Sequence, residues 1–456
     1  MNQTMVAASS AGSMPGSFDL SGATVIDGTG APPLHDATVR VRAGRIAAVW
    51  ASCPAPAEAG MQPDTVIDAH GKTLMPGLID AHCHISYGEG RTAEEVDVYG
   101  GAEWAAVRAV WNAAKVLHAG VTSFCDPGST WNVAVTCRDA IANGMFTGPR
   151  VFAAGRHLSS DGGFADYFPS WLGMPPSAEG VLVSTHDEIA KEVRRQVKNR
   201  VDMVKISGDS QAQERLPDAA ACFTDEELRL IVEMAHRFGR KTAIHARYAE
   251  TVVAAARAGV DWLIHASYMR PGDVGEVRDL QVPICPTITF TANIVEHGRD
   301  VGVDPNYIET KRRELDALVD IHRRNIDAGI PMMCGSEAGF SVTPYGQWHA
   351  REMELMVELL GMNPVQAIAA STYNNARAFG WEHEVGAIKP GLQADLLLVD
   401  GDPLRDIRVI GDPRKLHAIF LGGVEVQRPD VPPSRRRMGH ERGFSVSSGM
   451  LPRSHI

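Results

Sequence analysis

A chain of 456 residues with 44% hydrophobic and 22% charged residues has the composition of a globular enzyme, long enough for a large α/β domain and a smaller companion. Its formal charge of −11 speaks against nucleic acid or an anionic membrane as partner, and no segment reaches the length of a membrane span. Seven cysteines (53, 83, 125, 137, 222, 285 and 334), scattered and without a Cys-x-x-Cys pair, argue against a disulfide framework or a thiolate zinc ribbon and read as buried free thiols.

Residues 1–16 lack a basic n-region followed by an apolar core, so they read as a flexible leader of a cytoplasmic protein. From Asp19 to Asp68, short β-branched runs broken by glycine turns (23–27, 37–41 and 45–49) predict hairpin strands. The same texture returns after Gly386, in 394–399 and 415–423. Neither end alone has enough strands to close a core. Residues 17–73 and 385–428 are therefore expected to pair into one small β-sandwich, with 74–384 inserted as the larger domain and 429–456 left as a tail. The basic run Arg435-Arg436-Arg437 in that tail reads as a solvated surface.

The middle alternates apolar strands with amphipathic helices. Strands are predicted at 78–84, 121–125, 150–154, 203–206, 242–245, 262–265, 282–286 and 331–334. Between them, Thr185-x-x-Glu188 and Thr224-x-x-Glu227 are helix-starting capping boxes, and Ile189, Val193 and Val197 form a stripe that should face a sheet. Eight such units over about 250 residues predict a (β/α)8 TIM barrel. A doubly wound sheet is the competing α/β fold, but no Gly-rich phosphate loop follows the first strand.

A barrel of this kind carries its chemistry where strands end. The first predicted strand runs into Asp80-Ala81-His82-Cys83-His84, and alternation sends both histidines to one face and Cys83 to the other. Alone, such a pair is weak evidence for a metal site. Later strand ends add Lys205, His245, His265 and Glu337.

Here the chain resembles the amidohydrolase superfamily. The matching stretches are Ile26-Asp27-Gly28-Thr29-Gly30, Gly44-Arg45-Ile46, Met75-Pro76-Gly77-Leu78-Ile79-Asp80 and the closing run from Gly386 to Leu396. The resemblance implies that His82 and His84 hold a more buried metal and His245 and His265 a more exposed one. The ions expected are two divalent metals, zinc first, with cobalt, manganese or iron as alternatives. An ammonium beside two dications would be repelled, so Lys205 is implied to be carboxylated by carbon dioxide, its carbamate bridging the ions. The other readings of Lys205 are a buried lysine paired with Asp209, or a cation that orients substrate in a one-metal site.

The strand-eight position departs from the pattern, because Glu337 stands where relatives have aspartate. Its extra methylene threatens the direct metal contact more than a general-base role, which needs only hydrogen-bond reach. His157 falls where relatives place a substrate or oxyanion contact. Arg247 and Tyr268 should face the same rim, and the aromatic, glycine-hinged loop 159–172, with Tyr167 and Trp171, suits a lid. Asp126 is placed behind a ligand histidine or in a turn, whereas His118, His236, His297, His322 and His383 read as structural.

The expected activity is metal-dependent hydrolysis of a C–N bond in an amide, carbamate or urea, with metal-activated hydroxide oriented by Glu337 as general base and acid. The branch with prolidase-like dipeptidases, ochratoxin-type amidases and phenylurea or thiocarbamate hydrolases fits best. Few cations near the strand ends favour an apolar or aryl substrate, although Arg247 or Arg156 could clamp a carboxylate. The rivals are a mononuclear cyclic deaminase or imidazolone-type hydrolase and a non-catalytic metal-binding scaffold. A small-molecule partner and a homo-oligomer, dimer or tetramer, complete the expectation.

Overall fold

The computed structural model describes residues 16–51, 60–210, 221–429 and 449–453. The leader, Cys53 and the Arg435-Arg436-Arg437 run lie outside the described residues. The six described cysteines are free thiols. No helix among the described residues is long and apolar enough to cross a membrane.

Apolar residues alternate along Phe18–Val25, Leu34–Arg42 and Arg45–Ala51, and their inward faces need a cover. The cover comes from the far end of the chain. Leu396–Val399 runs antiparallel to Thr73–Pro76, with Leu396 opposite Pro76 and Leu398 opposite Leu74. Leu20, Val39, Ile46, Leu74, Leu398 and Phe420 then share one apolar cluster. The two ends form one mixed eight-stranded sheet, which branches at Phe18–Val25. The first half of that strand pairs with Thr65–Asp68 and the second with Thr73–Pro76, and its ladder to Leu34–Arg42 breaks register twice.

Strand residues of the inserted domain are buried on both faces, as in Val121–Asp126 and Met203–Ser207, which suits parallel strands flanked by helices. Leu78–Asp80, Val121–Asp126 and Arg150–Ala153 form a parallel three-stranded sheet. A second parallel sheet contains Met203–Ser207, Lys241–Tyr248, Trp262–Tyr268 and Ile284–Cys285, with the short strands His157–Ser159 and Gly180–Leu182 at one edge. The arrangement is a TIM-barrel-like α/β fold. Single bridges join the sheets at Ala154–Met203 and lead on from Ile284 to Met332 and from Ala338 to Cys83.

The eighth predicted strand, 331–334, is reduced to the Met332 bridge. Pro331 has no N–H to donate, so the segment is tied to Ile284 only through Pro331 O and Met333 N, and on its other edge the Asn375 side chain joins it to the first strand. Its Nδ2 donates to Cys334 O and Ile79 O, both at 2.7 Å, and its Oδ1 accepts from Cys334 N. Both predicted capping residues start helices, His186–Lys198 and Asp225–Arg237. The box closes reciprocally at Thr224 and Glu227, whereas Glu188 takes Ser184 N instead of its cap's N–H. Ile189 and Val193 are buried and Val197 packs partly against the same core. The end of the tail returns to the barrel, where Trp348 Nε1 donates to Leu451 O at 2.9 Å.

Candidate metal centre

His82 and His84 leave the first barrel strand with their Nε2 atoms 2.9 Å apart. What lies behind each ring decides what those nitrogens are. His84 Nδ1 is 2.9 Å from the carbonyl oxygen of Gly128, so it must donate. Thr287 Oγ1 donates to Cys285 O and lies 3.1 Å from His82 Nδ1, so that nitrogen donates too. A ring that carries only its Nδ1 proton presents a bare Nε2 lone pair to the other. Burial, reinforced by the charge of Lys205, holds His82 well below the usual imidazole range, so His82 brings no second proton to the contact. Two lone pairs at this distance fit a shared cation.

The second pair sits at the ends of two neighbouring strands, with His265 Nε2 3.1 Å from His245 Nδ1. Ring centroids of His82 and His265 lie 5.7 Å apart, which makes the four imidazoles one cluster. Arg247 Nη1 donates to His245 Nε2 at 2.7 Å, while Asp209 Oδ2 lies 3.6 Å from that nitrogen. For His245 to ligate through Nδ1, its proton must sit on Nε2, which requires Arg247 Nη1 to withdraw from that nitrogen and leave it to Asp209. Burial also lowers His157, His245 and His265 well below the ordinary value, which keeps them neutral and able to bind metal.

Glu337 joins the cluster despite its extra methylene. Its carboxylate oxygen and the nitrogens of His82 and His265 all lie within 4.8 Å of one another. The backbone supplies the accommodation: Glu337 has φ +56°, its N–H donates to His82 O at 2.6 Å, and its carbonyl accepts from Thr343 Oγ1. His265 is also left-handed, with φ +76°. Such strain in non-glycine residues persists only where surrounding contacts hold it, and two ligand candidates share it here. Burial raises the Glu337 pKa, opposed by Arg247, His84, Lys311 and Lys205. Lys205 is buried, its pKa pushed down to about 8 by burial. It forms no ion pair with Asp209 among the described residues; Asp209 instead accepts Arg247 N at 2.6 Å.

His82, His84, Lys205, His245 and Glu337 floor a cavity of about 400 Å³, whose walls include His157, Arg247, Tyr167, Phe164, Phe290 and Phe340. His157 is held by Ser207 Oγ at 3.1 Å and lies 3.5 Å from Tyr87 OH. Phe164 stacks on His245 with ring centroids 4.1 Å apart. Two residues assigned to substrate from sequence are not among the wall residues. Tyr268 turns away to stack on Tyr248, and Trp171 is 83% exposed, so only Phe164 and Tyr167 of the predicted lid reach the cavity. Arg156 is not a clamp, because its guanidinium is committed to the carbonyls of Ala178, Pro175 and Gly180.

Sequence reasoning passed over several residues that matter here. Lys311 and Glu314, one turn apart on helix Pro305–Asp327, are buried beside Arg247; Glu314 accepts from Arg247 Nε at 2.8 Å and from Lys311 Nζ at 2.7 Å. They sit in a densely charged stretch where no spacing singles them out. His322, read as structural, grips the centre from behind: Asn325 Nδ2 donates to its Nδ1, so its Nε2–H donates to His265 O at 2.7 Å. His349 Nδ1 reaches Asp80 Oδ2 at 2.7 Å, and Asp80 also accepts from His82 N and Ser336 N, tying the first strand to the Glu337 loop. Asp126 accepts from Ile85 N and Gly128 N and so fixes the turn whose carbonyl takes His84.

Comparison with known proteins gives the chain its family. The model of the Amidohydrolase family matches residues 73–426. Ochratoxinase from Aspergillus niger is 29% identical over 398 residues, covering 79% of this chain and 77% of that protein. Among solved structures, a Xaa-Pro dipeptidase with methionine bound in its active site superposes with a TM-score of 0.78 at 24% identity, over 90% of this chain and 100% of that one. Molinate hydrolase superposes with a TM-score of 0.74 at 23% identity, over 94% of this chain and 99% of that one. With the family model spanning the whole barrel and its C-terminal strands, this chain belongs to the Amidohydrolase family and is a hydrolase acting on carbon–nitrogen bonds.

Proposed function

We propose that the protein is a metal-dependent hydrolase of an amide, carbamate or urea bond in a small substrate with an apolar or aryl body and a carboxylate. The observation that carries the metal dependence is the His82–His84 pair, whose bare Nε2 atoms face each other at 2.9 Å with both Nδ1 protons already committed. His82 and His84 would hold one ion, His245 and His265 a second, with Lys205 between them. The donor set suits zinc, with cobalt, manganese or iron as alternatives. Such ions, when bound, supply a hydrolytic nucleophile at neutral pH and polarise a carbonyl oxygen. The Ala154–Met203, Ile284–Met332 and Cys83–Ala338 bridges support a closed eight-stranded barrel beneath the site.

Each side chain then has a task. With its pKa near 8, Lys205 presents enough neutral amine that it would capture carbon dioxide, forming an N–C bond at Nζ and releasing a proton, and the resulting anion would suit a place between the two pairs of imidazoles. Glu337 takes a proton from the attacking water and returns it to the departing nitrogen; burial raises its affinity for that proton above a free carboxylate's. His157 donates to the carbonyl oxygen. Arg247 and Lys311 orient a substrate carboxylate, since together they exceed the single charge of Glu314. This pair weakens the case for a purely apolar substrate, and ochratoxinase and the dipeptidase become better guides than the thiocarbamate hydrolase. The test is a panel of N-acyl amino acids, dipeptides, aryl ureas and thiocarbamates offered to zinc- and cobalt-loaded protein. Carboxylate-bearing amides should turn over fastest, and Glu337→Gln should abolish that turnover. A protein that binds metal but hydrolyses none of the panel would refute the proposal.

A second reading is favoured by one observation. His82, His265 and Glu337 alone form a compact three-ligand set, as a mononuclear deaminase or imidazolone-type hydrolase would need, with Lys205 unmodified. One ion per chain would select it.

A further inference from the structure

Three carboxylates line the same cavity as the metal ligands without serving them: Glu94, Asp97 and Glu179. Asp97 ends the short helix Ala93–Asp97 and is 1% exposed. Its Oδ1 accepts from Glu179 N at 2.9 Å, but its Oδ2 is buried with no hydrogen-bond partner. Glu94 Oε2 is buried and unpartnered as well. None of the three forms an ion pair among the described residues. Arg156, whose charge bears on Asp97, is bound to backbone carbonyls. A buried, unmatched carboxylate oxygen is costly unless something from outside completes it.

We propose that Asp97, Glu179 and Glu94 form a cation subsite that receives a positively charged nitrogen of the substrate. Burial, then the neighbouring Glu179, pushes Asp97 well above the usual carboxylate range, a repulsion that an incoming cation relieves. The placement along the chain also fits. Glu94 and Asp97 follow the first barrel strand and Glu179 the third, whereas Arg247 ends the fifth and Lys311 follows the seventh, so acid and base lie over opposite arcs of the strand order. Phe164, Phe290 and Phe340 line the space with them. The subsite is coupled to the chemistry, because Glu179 O accepts His157 N at 2.7 Å. The substrate class is therefore a zwitterion, with an ammonium-type group at one end, a carboxylate at the other and the scissile bond between.

This inference rests on the proposed amide hydrolysis, and its test separates the two. Zinc-loaded protein is assayed with matched amides that differ only in a free or an N-acetylated amine. The free amine should be preferred by at least about 10-fold in kcat/KM, chiefly through KM, and Asp97→Asn should collapse that ratio to within about 3-fold. Asparagine keeps the Oδ1 acceptor for Glu179 N, so a folding defect is not expected. Equal rates for both amides in the unaltered protein, or a ratio unchanged by Asp97→Asn, would overturn the subsite. Should neither amide turn over, the hydrolase reading fails, and calorimetry still decides the subsite. Benzylammonium should bind at least about 10-fold more tightly than benzyl alcohol, with the difference lost in Asp97→Asn. No difference between the two ligands would overturn it.

Discussion

Gly128 is the position at which one added carbon should do most damage. A Cβ built there would lie 1.5 Å from His157 Nε2, 2.1 Å from its Cδ2 and 2.8 Å from its Cε1. Comfortable contact needs about 3.5 Å, so the ring must retreat by about 2 Å or the turn must move. The turn is not free to move: Gly128 O is held by His84 Nδ1 at 2.9 Å and Gly128 N donates to Asp126 Oδ1 at 3.1 Å. Gly128 is not left-handed, so the alanine suffers from crowding and not from backbone strain. Overpacking of this kind costs about 1–3 kcal/mol of stability, and a 2 Å misplacement of a carbonyl-polarising imidazole should cost at least about 100-fold in kcat/KM. The assay is kcat/KM on the best panel amide, with thermal midpoint and metal content measured on the same samples. Gly275→Ala is the control, since a Cβ there meets nothing within 4 Å and helix Val274–Asp279 should gain up to about 1 kcal/mol. Adding His157→Ala to Gly128→Ala should restore stability without restoring turnover. A Gly128→Ala protein with unaltered kcat/KM and thermal midpoint would refute the account of His157.

Lys205→Ala should lower metal content from two ions per chain to one or none and abolish turnover, with partial recovery in short carboxylic acids that replace the carbamate; full activity without them would exclude bridging. His322 has its pKa lowered to about 4 by burial, against 6.5 in the unfolded chain. Its contribution to stability is therefore complete above pH 6.5 and is lost as pH falls toward 4, by about 3 kcal/mol in all. The advantage in urea stability of the unaltered protein over His322→Gln should shrink across that window, and a constant advantage would contradict the neutral, doubly bonded imidazole. Removing metal with a chelator should lower the thermal midpoint, and zinc at 1,000 times its Kd should restore about 4 kcal/mol. A midpoint indifferent to chelator and zinc would argue against the imidazole cluster as a metal site.

The parts of this centre visible in the sequence are those that strand periodicity places. His82, His84, Lys205, His245 and His265 each follow an apolar run, so the strand that buries the run also delivers the side chain to the barrel mouth. Glu337 was visible only as a departure, because its accommodation is a left-handed turn held by His82 O and Thr343, contacts made across the fold. Beyond Arg247, the cationic wall escaped for a different reason. Lys311 and Glu314 belong to a helix rich in exposed charges, and only packing distinguishes the buried pair from its neighbours. Asp97 ends a five-residue helix and Glu179 lies in an irregular segment, each after a different strand, where too few residues repeat for periodicity to report orientation. Tyr268 and Trp171 show the converse error: adjacency to a ligand or an aromatic loop does not fix which way a ring turns. At the chain ends the pairing of termini was foreseeable from strand count. The branching of one mixed sheet at Phe18–Val25 was not, since it depends on two breaks of register.

The most direct test of the central claim is an anomalous-difference map of zinc-loaded crystals, recorded at the zinc edge. The account predicts two peaks per chain, one against His82 and His84 and one against His245 and His265, with added density on Lys205 Nζ. A single peak beside an unmodified lysine would contradict the binuclear reading, and no peak among these imidazoles would contradict the metal centre itself.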